Sequence, residues 1–430
     1  MRLLLKNMVY IDSEMVKAEC GDILVEDGMI SSIGLFGKTE RNGLETFDGK
    51  GKTLVMPGFV NSHTHAAMVL LRGLGEELPL KEWLEERIWP VEAALMPEHV
   101  YWGTRGAIAE MASSGTTCFT DMYFEMDQVA DAALHAGMRC CISRGIIGDD
   151  PKKMEEGIDL FRRRNGKGNV RVQLAPHAPY TVSLEAVREI SAAAKSLGAG
   201  IHFHFLEAEW ERSFLKDKLG LYPFAYLENT ELLDLTSTIL AHCVWFPPED
   251  IPKLKGTSVT IAHNPSSNMK LGSGFAPVPA FLAGGADVSL GTDGAASNNR
   301  LDMWGEMRLC ALIHKGITMD PTAVTARSVF KMATVAGARA AGFDDVGLIR
   351  EGWQADLILV DLDKPQYEGW TTENLFGFIV YAGSSRDISG TIAAGRWLYR
   401  GGRFMDGEYE EVKRQISRCR KELVCSGNCS

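Results

Sequence analysis

The 430-residue chain has no uncharged apolar run near the roughly 18 residues that a membrane span requires. Its start, Met1-Arg2-Leu3-Leu4-Leu5-Lys6-Asn7, is too short in apolar residues for a signal peptide. Positive charge is in deficit: 45 Lys and Arg stand against 56 Asp and Glu, a net charge of -11. That balance argues against a nucleic-acid backbone or an anionic membrane as partner. The one basic run, Arg162-Arg163-Arg164 before Asn165-Gly166, reads as a solvated helix end. Cysteine is sparse and unpatterned, with nine residues, an odd number, and Cys140 and Cys141 adjacent. This excludes a disulfide framework and fits reduced thiols in a cytoplasmic protein. Cys425 and Cys429 could grip a metal, but a frayed terminus is the plainer reading. With 45% hydrophobic and 23% charged residues, wholesale disorder and collagen-like repeats are excluded as well.

The length allows two or three domains at roughly 100–200 residues each, or an α/β barrel of about 250 residues with an addition. Residues 1–56 read as short strands (Leu3–Leu5, Asp22–Val25, Ile30–Ile33) broken by turns at Asp27-Gly28 and Asp48-Gly49. Residues 347–430 echo them, with strand-like Gly352–Asp361 and Ile388–Trp397. Neither segment has enough apolar surface to fold alone. The two are therefore expected to pair as one small discontinuous β-sandwich domain, carrying the C-terminal tail, beside a central domain at 57–346.

In that middle, apolar strand-length runs recur at Thr53–Val60, Gly115–Met122, Met138–Gly145, Val170–Pro176, Gly200–Leu206, Thr236–Cys243, Ser258–His263 and Ala286–Thr292. Helical stretches such as Glu98–Ser114, Gln128–Ala136, Leu184–Leu197 and Leu301–Lys315 lie between most of them. Strands alternating with helices predict an α/β fold with a parallel sheet, and eight such units can close into a (β/α)8 TIM-type barrel. A doubly wound open sheet is the weaker alternative, because no Gly-rich fingerprint follows the first strand. The strand ends carry the chemistry: His63 and His65, Asp121, Arg144, His177, His204 and Glu207, His242, His263-Asn264, and Asp293. In a parallel barrel all of these converge on one face, where such enzymes hold their active sites.

His63-Thr64-His65 is the sharpest local signal. Residues i and i+2 of a strand point to one side, so both imidazoles can reach one metal. His202 and His204 repeat the spacing, and spacing alone does not say which of them ligates. His204 is nearer the strand end and is followed by Glu207, and Asp293 adds a carboxylate. Three imidazoles, one carboxylate and a water suit one divalent transition metal, Zn²⁺ in the first place and Fe²⁺ in the second. No lysine closes the fourth strand to hold a second metal through a bridging carbamate. His263, His99, His135 and His314 read as structural.

Pro57-Gly58-Phe59-Val60-Asn61-Ser62-His63-Thr64-His65, His204-Phe205-Leu206-Glu207, Ala241-His242-Cys243 and Gly291-Thr292-Asp293-Gly294-Ala295-Ala296-Ser297-Asn298-Asn299 resemble the amidohydrolase superfamily. Within it, the chain is most similar to the 5-methylthioadenosine/S-adenosylhomocysteine deaminases and the neighbouring 5′-deoxyadenosine deaminases, from about Leu3 to Trp397. The resemblance implies a metal-dependent hydrolase that deaminates 5′-substituted adenosines at C6. It implies His63, His65, His204 and Asp293 as metal ligands, with Glu207 and His242 beside the water and Glu207, His242 and Asp293 moving protons. It also implies Glu92 as acceptor for a ribose hydroxyl, His177 as a purine contact and Arg144 towards the 5′ substituent. The expected partner is a small nucleoside, with no nucleic acid and no membrane, and with room for a homo-oligomer. One departure bears on substrate choice. The family places a second arginine after the third strand, whereas Asp149-Asp150-Pro151-Lys152-Lys153-Met154 offers only lysines, which lack the bidentate fork of arginine. The alternative function is another aminohydrolase of the superfamily, acting on guanine, a triazine or another heterocycle; a non-catalytic scaffold would be expected to lose ligands.

Overall fold

Thr53–Val60 is two strands rather than the single one expected. Gly58 divides it: Thr53–Pro57 joins a sheet built from the chain ends, while Phe59–Thr64 begins the barrel. A Cβ on Gly58 would lie 2.2 Å from Oγ1 of Thr117, so only glycine lets the backbone pass between the two sheets here. The computed structural model describes residues 2–34 and 44–427.

Eight parallel strands follow one another in chain order: Phe59–Thr64, Thr116–Tyr123, Arg139–Ile146, Val170–Pro176, Ile201–Phe205, Thr238–His242, Val259–His263 and Asp287–Leu290. They are referred to below as strands 1 to 8. Nearly every residue in them is buried, as expected of a parallel sheet covered on both faces. The expected helices are present, with Pro97–Ser113, Met126–Ala136 and Leu184–Leu197 between strands and Met303–Thr318 after strand 8. Local chemistry sets their ends. Ser183 Oγ caps the amide of Ala186, Asp302 caps Trp304 and Gly305, and Gly137 and Gly198 close two helices in the left-handed region.

Strands 8 and 1 meet without a regular ladder among the described residues, and Asn61 closes the seam. Its Nδ2 donates to Thr292 Oγ1 (2.7 Å), its Oδ1 accepts from the Thr292 amide (2.9 Å), and the Asp293 amide donates to the His63 carbonyl (2.9 Å). Asp293 is thereby tied to His63 before any ligand enters.

The chain ends form one mixed sheet of nine strands, in which Leu357–Asp361 pairs antiparallel with Thr53–Pro57, which in turn pairs in parallel with Arg2–Ile11. One edge of the sheet folds back on its middle: beside the edge strand Met29–Gly34, the Ile30 amide donates to the Trp353 carbonyl and the Ala355 amide to the Gly28 carbonyl, each at 2.8 Å, just before Leu357–Asp361. The two halves thus face each other, with Leu3, Ile23, Val25, Val55, Leu357 and Ile392 between them. A buried ion pair, Arg139 to Asp356 at 3.0 Å, joins barrel strand 3 to this sheet.

The final helix, Tyr409–Gly427, does not follow the tail's expected grouping with the small sheet. Ile416, Cys419 and Leu423 recur at helical spacing and pack against the barrel helix Pro97–Ser113, Val412 lines a small cavity with Ile108 and Ala112 of that helix, and Arg418 pairs with Glu98 at 2.5 Å. Cys429 and the side chain of Cys425 lie outside the described residues. The basic run ends the helix Pro151–Arg164, where Arg163 and Arg164 pair with Asp127. All cysteines whose side chains are described are free, and among the described residues no helix is long and apolar enough to cross a membrane.

Candidate active site

His63 sits inside strand 1, and His65 immediately follows it. Between them, Thr64 turns away and donates to Asp121 Oδ1 (2.7 Å), so Asp121 supports the strand from outside the cluster. The Nε2 atoms of His63 and His65 lie 3.4 and 3.3 Å from Asp293 Oδ1, and Nε2 of His204 lies 3.3 Å from that of His65. Tetrahedral zinc with ligands at about 2.0–2.2 Å holds its donor atoms roughly 3.3–3.5 Å apart. Nε2 of His63 is buried and has no hydrogen-bond partner. The donor set therefore fits a transition ion. Of the two candidates on strand 5, His204 reaches the cluster; His202 points instead at Nδ1 of His63, 2.7 Å away.

The electrostatics fit as well. Burial lowers His63 to about 4, and it lowers His204 well below the usual imidazole range, with neighbouring imidazoles adding to the effect. Burial alone would raise Asp293, but the adjacent His63 and His65 imidazoles outweigh it and hold its carboxyl well below the usual range. Burial likewise pulls His65 down, yet the Asp293 carboxylate and the Met122 carbonyl outweigh it and lift His65 to about 9. A positive charge beside Asp293 is thus favoured in the place a metal ion would take. The other Asp293 oxygen accepts from Ser267 (2.6 Å) and Ser297 (2.9 Å).

Glu207 follows strand 5, with Oε2 3.6 Å from His242 Nε2 at the end of strand 6 and Oε1 3.4 Å from Ser273 Oγ. Nδ1 of His242 bonds Asn268 Oδ1 at 2.8 Å, which turns Nε2 towards Glu207. Burial raises the Glu207 carboxyl, and the charge on Asp293 adds to the rise. Leu206, His242, Cys243 and Asp293 all have positive φ, between 49° and 74°. Such strained non-glycine backbone gathers at functional sites.

A narrow inner cavity of about 60 Å³ reaches this cluster, lined by His65, Glu92, Tyr123, His177, Glu207 and Asp293 among others. A wider one of about 740 Å³ shares the walls Leu80, Leu84, Trp89, Tyr180 and Leu271. The Amidohydrolase family model matches residues 54–398.

The chain belongs to the amidohydrolase family.

Two relatives of this amidohydrolase align over nearly its full length. It is 41% identical over 429 residues to a 5-methylthioadenosine/S-adenosylhomocysteine deaminase of Carboxydothermus hydrogenoformans, covering 98% of this chain and 95% of the relative. It is 40% identical to a 5′-deoxyadenosine deaminase of Methanosarcina mazei, covering 99% of each. Among solved structures, an adenosine deaminase from Xanthomonas campestris with bound zinc superposes with a TM-score of 0.92 at 31% identity, over 98% of each chain.

The remaining expected residues divide in two. Glu92 and His177 line the amidohydrolase cavity. Glu92 and the hydroxyl of Tyr123 interact with each other inside the cavity, and burial raises the Glu92 carboxyl. His177 is lowered to about 3 by burial and neighbouring imidazoles, and its Nδ1 bonds Thr181 Oγ1 at 2.9 Å. Arg144, by contrast, is outside the cavity lining: its Nε bonds Glu156 Oε2 at 2.9 Å, and its guanidinium lies over the Phe124 ring. Lys153 Nζ is spent on the Ile147 carbonyl (2.6 Å).

The sequence reading missed Tyr123, Asn61 and Glu211. Glu211 accepts from the amides of Leu206 and Ala208, both at 2.9 Å, and so brackets Glu207. A glutamate four residues after the expected proton donor was the available signal, but acidic residues at that spacing are common on helices.

Proposed function

We propose that this amidohydrolase is a mononuclear metal-dependent deaminase of 5′-substituted adenosines, forming the inosine derivative and ammonia. The buried pair of Glu92 and Tyr123 carries the reading, because it lines the same cavity as Glu207 and Asp293. With a purine lying against His177 and Glu207, a ribose hydroxyl is the group suited to donate to Glu92. The relatives named above, at about 40% identity over almost the whole chain, support the same chemistry.

His63, His65, His204 and Asp293 are the residues to hold the ion. Zinc is preferred and ferrous iron is the alternative; either, when bound, makes hydroxide available near neutral pH. The protein's own groups handle the protons. Glu207, whose carboxyl is raised by burial, gives a proton to the purine N1 and makes C6 electrophilic. Asp293, with His242 beside it, takes the proton released as the water oxygen bonds to C6. That proton passes to the exocyclic amine, the C6–N bond breaks and ammonia leaves. His177 serves as a neutral contact to the purine edge.

Among the described residues no lysine or arginine lines the inner cavity, and Lys81, beside Glu82 and Glu85, is the one cation lining the wider cavity. Arg144 is engaged by Glu156 and Lys153 by a carbonyl. Methylthioadenosine and 5′-deoxyadenosine, with apolar 5′ ends, should therefore be used at least as well as S-adenosylhomocysteine. The test is loss of adenine absorbance with these three substrates, and with guanine as control. Turnover of guanine in preference to all the nucleosides would replace this reading with a base aminohydrolase.

A further inference from the structure

Each imidazole in the cluster presents Nε2 to the ion, so each should carry its proton on Nδ1 and have an acceptor there. A metal-bound histidine is normally oriented and tuned by that outer hydrogen bond. Two of the three follow the common pattern: Nδ1 of His65 meets the Met122 carbonyl at 2.5 Å, and Nδ1 of His204 meets the His177 carbonyl at 2.9 Å. A carbonyl only accepts, so these two tautomers are set by the backbone. His63 differs. Its Nδ1 faces a second imidazole, Nε2 of His202, at 2.7 Å.

A neutral imidazole can donate or accept at Nε2, and the choice decides what His63 can do. If His202 carries its proton on Nε2, Nδ1 of His63 must accept, and the His63 proton moves to the Nε2 that the ion needs. If His202 carries its proton on Nδ1, its Nε2 accepts from His63, which is then ready to ligate. His202 is wholly buried, and its own Nδ1 has no partner. Among the described residues no hydrogen bond holds His202 Nδ1, so the bond to His63 is the one that orients its ring, and an ion on His63 Nε2 requires the tautomer in which His202 accepts.

We propose that His202 is a positioning residue for the metal centre: it accepts the Nδ1 proton of His63 and thereby fixes that ring's tautomer and orientation for metal binding. The inference rests on the metal centre proposed above and explains the second histidine of the His202-Phe203-His204 pair. His204 reaches the ion from the strand end, and His202, one inward-facing position earlier, reaches the ligand opposite.

The measurement is zinc affinity of the metal-free protein by competition with a chromophoric chelator, which needs no substrate. His202→Leu, which removes the acceptor, should weaken zinc binding by about 10- to 100-fold, the usual cost of losing an outer-shell partner. His202→Gln restores an acceptor oxygen and should recover most of the affinity. Equal affinity of the leucine variant and the wild type would overturn the proposal, and so would a glutamine variant no better than leucine, since only volume would then matter. A readout on the unaltered protein covers the case in which the leucine variant does not fold. Nitrogen-15 histidine spectra of the zinc-loaded wild type should show His202 protonated on Nδ1, and protonation on Nε2 would overturn the assignment. A wild type that binds no zinc at all would instead remove the metal centre on which the inference rests.

Discussion

Two groups of buried imidazoles in this barrel have nearly the same spacing and different chemistry. Nε2 of His65 and Nε2 of His204 are 3.3 Å apart; Nε2 of His263, at the end of strand 7, and Nε2 of His314, on the helix Met303–Thr318, are 3.2 Å apart. Cys310 completes a second possible triad with the latter pair, one helical turn before His314. The first group includes Asp293, lines a cavity and is framed by strained backbone. The second is sealed between a strand and a helix, and Glu306, the acid on the same helix, is committed to the Ser266 amide and Asn298. Donor spacing is therefore a weak criterion by itself. A carboxylate to balance the ion's charge and a route for substrate separate a working centre from a structural contact.

The sharpest way to break this comparison is metal analysis. We expect about one transition ion per chain, lost together with activity in His63→Ala and His204→Ala but retained in Cys310→Ala and His314→Gln. Two ions per chain, one of them removed by Cys310→Ala, would erase the distinction. The next largest effect concerns the proton donor. Glu207→Gln should keep the ion and lose turnover by roughly 10²- to 10⁴-fold, as is typical of general acid–base groups. If the rate survived, the proton to N1 would have to come from elsewhere.

The sealed pair should show itself in stability rather than turnover. Burial lowers His314 to about 4, against 6.5 for the free side chain. The unfolded chain therefore binds the proton more readily, and stability falls as pH drops below about 6.5. Between pH 7 and pH 5 this group should cost about 2 kcal/mol, a loss that His314→Gln would remove. Urea midpoints of both proteins at the two pH values check it; parallel losses would show that His314 is already charged in the fold. The smallest effect lies at the rim of the open site. Glu156→Gln should release Arg144 and raise kcat/KM for S-adenosylhomocysteine by about two- to fivefold, with 5′-deoxyadenosine unchanged. An equal change for both substrates would place Arg144 away from the 5′ side.

Much of this contrast was legible in the residues. His63-Thr64-His65 at the end of an apolar run, and Gly291-Thr292-Asp293 at the end of another, mark donors on one barrel face because strand ends in a parallel barrel share that face. The eight strands and four of the helices were legible for the same reason, a change of hydrophobic period from strand to helix. The split at Gly58 was not, because both halves are equally apolar and only the close approach of Thr117 distinguishes them. The helix Tyr409–Gly427 was read as tail, since a polar sequence with one apolar stripe shows no partner until the barrel helix meets it.

What the sequence determined by itself is the list of participants: a parallel barrel, a small sheet made by both chain ends, and the histidines and carboxylates able to hold an ion and move protons. Period and residue chemistry are local properties and can be read one strand at a time. The tertiary structure alone decided which of two equally spaced histidines on strand 5 turns towards the ion. It also decided that Arg144 is spent on Glu156, and that His263 and His314 pair in the core while His65 and His204 face a cavity. These outcomes depend on which atoms of distant segments come within about 3 Å, a distance set by packing of the whole barrel rather than by any residue's neighbours in the chain.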